Sequence, residues 1–275
     1  MRLFKYFHPI SKHRSPKSVD IIEQLSIRFR SVRFSPLDVF NDPFELLPDT
    51  AIVETPEFYR LLKPHYVSEI KAQQPLLNEE QTERECRQRF EDNVLIRKRE
   101  AVKELLDFRP ARILCLSKIA PDNPKALLLW AHYTENHAGM VLEFDDAHPW
   151  IQQHTYKQGE RHDYKEVQYS TKRVGWNGLE PAEEFLYTKS QCWIYEQEVR
   201  LIRFVGDKEF DTSKVDALVK YPPEMLLSVT LGVNNTQETD VREALAASHD
   251  PSHVVLYRAE LHLDEYNLTL KKLSR

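Results

Sequence analysis

The sequence predicts a mixed α+β fold built on a highly twisted or split β-sheet with flanking helices. Three observations carry that expectation. Apolar runs of strand length interleave with helical segments without a regular βαβ rhythm. No GxGxxG or GxxxxGK occurs and the chain holds six glycines, which disfavours a Rossmann domain or a P-loop NTPase. The 275 residues, 41% hydrophobic and 29% charged, supply a sizeable buried core, read as one domain over 1–275 with a helical insertion at about 56–108.

The elements follow in order. LFKYF (3–7) is an opening strand, followed by the loop HPISKHRSPKS. A short helix is expected over 19–25, and SIRFRSVRFSP (26–36) reads as a strand or hairpin. SPLDVFNDPFE (35–45) is turn chemistry: Pro36, the Asn41-Asp42-Pro43 run and short polar side chains, with Phe40 and Phe44 as anchors. In residues 56–108 apolar positions recur at helical spacing while acids and bases alternate on the other face. This is the pattern of a solvated helical pair covering the core or, alternatively, of a lid or docking arm.

RILCLSK (112–118) is a buried strand ending on a polar residue. PDNPKALLLWAHYTENHAG (121–139) reads as a helix, capped by Asp122 or Asn123, with Pro124 near its first turn and Gly139 at its end. Strands are expected at MVLEFDD (140–146) and YKEVQYS (164–170), a helix at EPAEEFLYTKSQCW (180–193) and a strand at YEQEVRLIRF (195–204). The tail adds the apolar run LLSVTLGV (226–233), a helix around 236–248 and a last strand near VVLYRAEL (254–261).

The formal charge of −5 gives no global basic signal for nucleic acid, although a local basic groove can hide in such a total. Cys86, Cys115 and Cys192 form no CxxC pair, which disfavours a cysteine zinc site and a disulfide framework and points to a reducing cytosol. MRLFKYFHPI lacks the apolar run of a signal peptide and no stretch approaches a membrane span, so the expected location is cytoplasmic.

Four constellations hold chemistry-bearing residues. WAHYTENHAG (130–139) puts Trp130, His132, Tyr133 and His137 in eight residues, suited to one wall of a ligand pocket; the His spacing of five is poor for joint metal ligation from one helix. FNDPFE (40–45) offers Asn41, Asp42 and Glu45, a turn held by Asx-type bonds or a loop pinned beside a site. Ser117 brings a hydroxyl to the sheet rim without a GxSxG elbow, which suits a serine that orients a ligand or a carboxylate. On a strand, Glu196, Glu198, Arg200 and Ile202 share one face, so two carboxylates stand side by side. That face is either solvent-exposed, with Glu198 paired to Arg200, or an active site in which one acid stabilises a developing cation and the other positions an acceptor.

FSPLDVFNDPFE, WAHYTENHAGMVLEFD and KSQCWIYEQEVRLI together resemble a widespread bacterial family of uncharacterised domains that carries these blocks in this order, over roughly residues 3 to 205. Glu196-Gln197-Glu198, followed by Val-Arg-Leu, also resembles the Glu-x-Glu strand of ADP-ribosyltransferases. Lys5, Ser117 and Glu198 fall in the order of that family's three signatures: a basic residue on the first strand, Ser or Tyr on a middle one, Glu on a late one. The resemblance implies a split mixed sheet, NAD as substrate and no metal. It makes Glu198, Glu196 and Ser117 catalytic and Lys5, Arg33, Asn41, Trp130, His132 and Tyr133 cofactor-binding. Lys stands where the Arg-type enzymes carry Arg, and Arg33 is the alternative basic contact. A toxin or phage-defence effector would follow, with a protein or nucleic-acid acceptor, an antitoxin or regulator as partner, and no membrane. Two other classes compete: a ligand- or nucleic-acid-binding module without chemistry, and a metal-dependent phosphodiesterase using His132, His137, Glu143 and Asp145.

Overall fold

A computed structural model describes residues 2–9, 26–28, 30–108, 111–152, 162–176, 182–204, 218–248 and 253–274. Along the chain run β1 (Arg2–Phe7), β2 (Ser31–Arg33), β3 (Ser35–Pro36), α1 (Pro56–Gln73), α2 (Glu79–Asp92), α3 (Val94–Asp107) and β4 (Ala111–Ser117). Then come α4 (Ala126–Tyr133), β5 (Met140–Asp145), the single turn α5 (Pro149–Gln152), β6 (His162–Glu166), β7 (Gln168–Ser170), β8 (Thr188–Ser190) and β9 (Glu198–Phe204). The rest is β10 (Leu218–Lys220), β11 (Leu226–Leu231), α6 (Glu238–Ser248), β12 (Val255–Leu261) and β13 (Leu268–Lys272). The class is α+β, with a mixed sheet and flanking helices. The helix expected over 19–25 lies outside the described residues.

The chain forms two compact units. The first comprises Met1–Phe40, Pro110–Val167 and Gln191–Arg275, and the second Asn41–Arg109 and Gln168–Ser190. The first unit holds a sheet in the order β13-β12-β11-β5-β1-β4-β9-β6, with β3 also on β4. Its pairs are antiparallel except β11–β12.

The seam between β1 and β4 thins to one register pair, Phe4 with Ser117. Further along β4 its edge belongs to β3, which pairs at Ile113 and Arg112. Cys115 sits between the two neighbours, and its carbonyl takes a hydrogen bond from the Lys5 ammonium at 2.9 Å. A side chain thus satisfies an acceptor near the point where the ladder changes partner.

Strand alternation sorts the side chains onto two faces. Leu3, Phe7, Leu114, Leu116, Leu142, Phe144, Val199 and Leu201 join one core, to which α6 adds Val241, Ala244 and Leu245. Phe4, Tyr6 and Val141 face the other way and pack with Leu129 and Trp130 of α4. Glu198 and Arg200, out of phase with Val199 and Leu201, belong to this second face.

In the second unit α1, α2 and the 3-10 turn Thr50–Glu54 enclose Val53, Phe58, Tyr59, Tyr66, Ile70, Cys86 and Phe90. Thr55 caps α1, and Asn78 with Gln81 forms a capping box on α2. The expected helical pair covering a shared core is therefore corrected to three helices, two of which enclose a core of their own. Tyr59 and Tyr66, two turns apart on α1, and Ile70, one turn further, contribute to it.

Several boundaries differ from expectation. Ser26–Arg28 is helical, and β2 and β3 pair with β10 and β4 rather than with each other, so 26–36 is no hairpin. Residues 164–170 divide between β6, on β9, and β7, parallel to β8. The helix expected over 180–193 is replaced by the 3-10 turns Ala182–Tyr187 and Gln191–Glu196 flanking β8. Phe44 is 64% exposed and anchors nothing, whereas Asp42 accepts from the Phe44 N–H at 2.9 Å as an Asx turn does.

The helix expected over 121–139 is shortened to α4, because Glu135, Asn136 and His137 all take positive φ. Three left-handed residues in succession end the helix, and the turn is held from outside: Asn234 N–H donates to the His137 carbonyl, and the Asn235 amide to the carbonyls of Ala138 and Gly139. Gly139 serves close approach rather than capping, since a Cβ there would lie 1.9 Å from the Phe7 carbonyl oxygen. Backbone cannot yield as a flexible side chain can. Gly139→Ala should therefore pry β1 from β5 and cost about 1–3 kcal/mol, the range of core overpacking, measured by urea unfolding; a loss within a few tenths would show that the strands part freely.

Candidate active site

The β4–β9 ladder opposes Ser117 to Glu198 and Cys115 to Arg200. Directly opposed residues of an antiparallel pair share a face, so all four point to the side of the sheet that carries α4. Both members of the acid–base pair are buried: Arg200 is 0% exposed and Glu198 4%. The Arg200 guanidinium donates through Nε to Glu198 Oε1 at 2.8 Å and through Nη2 to Oε2 at 3.3 Å. It also lies over the Phe40 ring, 5.8 Å from its centre. Spacing alone paired these residues, but the solvent-face alternative is corrected, because β9 is covered on both faces.

Burial first, and the Glu198 carboxylate next, push the Cys115 thiol well above its ordinary range. A hydrogen bond between thiol and carboxylate adds to this, while Arg200 and Lys5 oppose it. At neutral pH Cys115 is a neutral thiol beside the charged pair, which excludes it as a thiolate nucleophile.

Glu196 does not share the strand. It ends the 3-10 turn Gln191–Glu196, and Gln197, at φ 43°, turns the chain into β9. The side-by-side carboxylates expected from the i, i+2 spacing are corrected for that reason. The end of β4 clasps this corner: Ser117 Oγ donates to the Glu196 carbonyl at 2.5 Å, and the Lys118 N–H donates to the Gln197 carbonyl at 3.1 Å. Ser117 Oγ also accepts from the Ile119 N–H at 3.0 Å. The hydroxyl expected to support the Glu198 carboxylate thus holds backbone instead. The Glu196 carboxylate, also buried, accepts from the Tyr133 hydroxyl at 2.5 Å.

Around Glu196, α4 and the 3-10 turn meet through aromatic rings. His132, exposed, bonds the Tyr195 hydroxyl through Nδ1 at 2.8 Å and packs edge-on against Trp193. His132 and Tyr133 therefore stand beside Glu196 and its neighbour Tyr195. Trp130 does not: it is 0% exposed, donates its indole N–H to the Pro121 carbonyl at 2.9 Å and packs against Tyr6. Core burial removes it from the expected pocket wall. His137 stacks on Trp130, their ring centres 5.9 Å apart.

Of the expected basic contacts, Lys5 leaves β1 on the Leu3 and Phe7 face, opposite Ser117 and Glu198, and its ammonium reaches the Cys115 carbonyl at the β1–β4 seam. Arg33 lies on β2, in the two-stranded ladder with β10, and has no register partner in the large sheet. Asn41 is exposed at the start of the second unit. Glu143, in the metal alternative, accepts from the Ser228 hydroxyl and pairs with Arg2 at 3.5 Å. Among the described residues no three His, Cys, Asp or Glu side chains gather as a metal-binding group, so the four residues of that alternative do not converge. Nor, among the described residues, is any helix long and apolar enough to cross a membrane.

Sequence reasoning missed the Tyr133–Glu196 and His132–Tyr195 bonds and the Cys115 contact. The signal for Cys115 was available, since it alternates with Leu114 and Leu116 and so shares the Ser117 face. No family model, curated protein or solved structure matches the chain.

Two outcomes follow from this geometry. Ser117→Ala strands a buried carbonyl and a buried N–H at once; it should destabilise the fold by about 1–3 kcal/mol in denaturant titration, and Ser117→Thr should recover part of the loss. Burial also lowers the pKa of His137. The unfolded chain then binds more protons than the native one, so this stability is complete above the ordinary value of about 6.5 and lost as pH falls from there through the folded value. Melting temperature should drop on that side, and His137→Asn, which tolerates positive φ, should flatten the drop.

Proposed function

We propose that the protein is an NAD-dependent ADP-ribosyltransferase acting on a protein or nucleic-acid acceptor. One observation carries the reading: Ser117 and Glu198 oppose each other across β4 and β9 at the strand that also meets β1, with Lys5 at the seam.

The chemistry follows from charge. As the nicotinamide–ribose bond breaks, its electron pair leaves with neutral nicotinamide and positive charge develops on the ribose ring. A carboxylate at the ribose 2′-hydroxyl stabilises that oxocarbenium-like state. Glu198 has this role. The acceptor then attacks the anomeric carbon and gives up its proton, which Glu196 is placed to receive. The Lys5 ammonium leaves the Cys115 carbonyl to meet a phosphate or ribose oxygen as a point charge, without the fork an arginine would offer. A toxin or defence effector restrained by an antitoxin or regulator is the biological setting this chemistry fits.

A second reading has one observation in its favour. The Arg200 fork already occupies Glu198, as it would in a binding module that keeps the fold without the chemistry.

Labelled NAD incubated with the protein and cell lysate, followed by separate digestion of protein and nucleic acid, distinguishes the two. Turnover should be seen, and Glu198→Gln, nearly isosteric, should remove about a hundred- to thousandfold of it. Glu196→Gln should lower transfer while slow hydrolysis of NAD to water survives. Wild-type protein that neither binds nor consumes NAD, or a fully active Glu198→Gln, overturns the transferase and leaves the binding module.

A further inference from the structure

We propose that Arg200 is a positioning residue: its buried guanidinium holds the Glu198 carboxylate charged and in one orientation. The inference rests on the transferase reading for its consequence in turnover, but not for its structural content. A lone carboxylate taken out of water neutralises itself by binding a proton, and a neutral acid would offer a developing cation no charge. Glu198, 4% exposed, escapes this because a guanidinium that cannot lose its proton grips both of its oxygens.

The grip is built rather than incidental. Arg200 is 0% exposed, lies over Phe40 and stands opposite Cys115 in the ladder. Cys115, from β4, hydrogen-bonds the same carboxylate as a neutral thiol, and Lys5, from β1, adds positive charge nearby. Two carboxylate oxygens offer about four acceptor positions. The fork takes one on each oxygen and the Cys115 thiol bonds the same carboxylate, so its torsions stay fixed. Lysine could supply the charge but not the two-point hold.

The test pairs a spectroscopic readout with turnover. Isotope-edited infrared spectra locate the Glu198 carboxylate as the band lost in Glu198→Gln. In the wild type at neutral pH it should be that of an ionised carboxylate. In Arg200→Ala a protonated carboxyl band should replace it, and millimolar guanidinium, filling the vacated space, should restore the ionised band. With NAD, kcat should fall about ten- to a hundredfold at a nearly constant KM, and guanidinium should recover part of the loss. Should Arg200→Ala not fold, Arg200→Lys decides: the band should stay ionised but shift as the fork is lost, with kcat still reduced and no rescue by guanidinium. An ionised band unchanged in Arg200→Ala overturns the inference, as does wild-type kcat in Arg200→Lys with an unshifted band. If the wild type turns over no NAD, the transferase reading fails while the spectra still decide the role of Arg200.

Discussion

A fully buried arginine on β9, the strand next to the sheet edge, is the constraint to which the rest of this region conforms. Bringing Arg200 and Glu198 out of water costs several kcal/mol per ion, and removing one partner alone would cost about 3–5 kcal/mol. Their mutual fork offsets that cost only while both stay in place. The pair therefore demands a fixed strand register. A slip of β9 by one residue would turn Glu198 and Arg200 into the apolar core lined by Leu3, Leu114, Leu116 and Phe144. It would also turn Val199 and Leu201 toward Ser117 and Cys115. Charge and apolar packing thus specify the same register, one on each face of one strand.

The corner before β9 and the seam beside β4 both serve that register. Gln197 reverses the chain with a positive φ that carries strain for a residue other than glycine. Ser117 and Lys118 supply the compensating hydrogen bonds from the end of β4. On its other side β4 exchanges β1 for β3, so Phe4 is the one residue of β1 in register with it. A seam so short leaves Lys5 and the Cys115 carbonyl to satisfy each other. Local chain reversal brings the Ser117 hydroxyl to the Glu196 carbonyl, and incomplete strand pairing brings the Lys5 ammonium to the Cys115 carbonyl.

Where apolar residues dominate a segment, the sequence was legible. β1, β4, β5, β11 and β12 correspond to apolar runs, and α6 to helical spacing after a polar turn. The opposition of Ser117 and Glu198 was within reach for the same reason, since each lies at the end of an apolar run. What stayed hidden depends on backbone states that composition does not announce. Nothing in TENH signals three left-handed residues, nor does the glutamine of YEQEV signal a fourth. The stretch over 180–193 looks helical because Glu, Leu and Lys favour helices, yet Thr188–Ser190 pairs with β7 and divides it. Arg33 was misplaced because the partner of β2, Leu218–Lys220, lies far along the chain and carries no pattern that would select it.

The displaced Glu196 changes the meaning of the Glu-x-Glu pattern here. On one regular strand the two carboxylates would share an environment and repel each other. The turn at Gln197 gives them different partners instead. Glu198 meets a permanent cation, the Arg200 guanidinium at 2.8 Å. Glu196 meets a tyrosine hydroxyl and, through the chain beside it, a histidine–tyrosine pair at the surface. A neutral hydroxyl donor and a guanidinium fork are unlike partners for a carboxylate. A single backbone torsion at Gln197 thus separates two acids, two residues apart, into unlike surroundings.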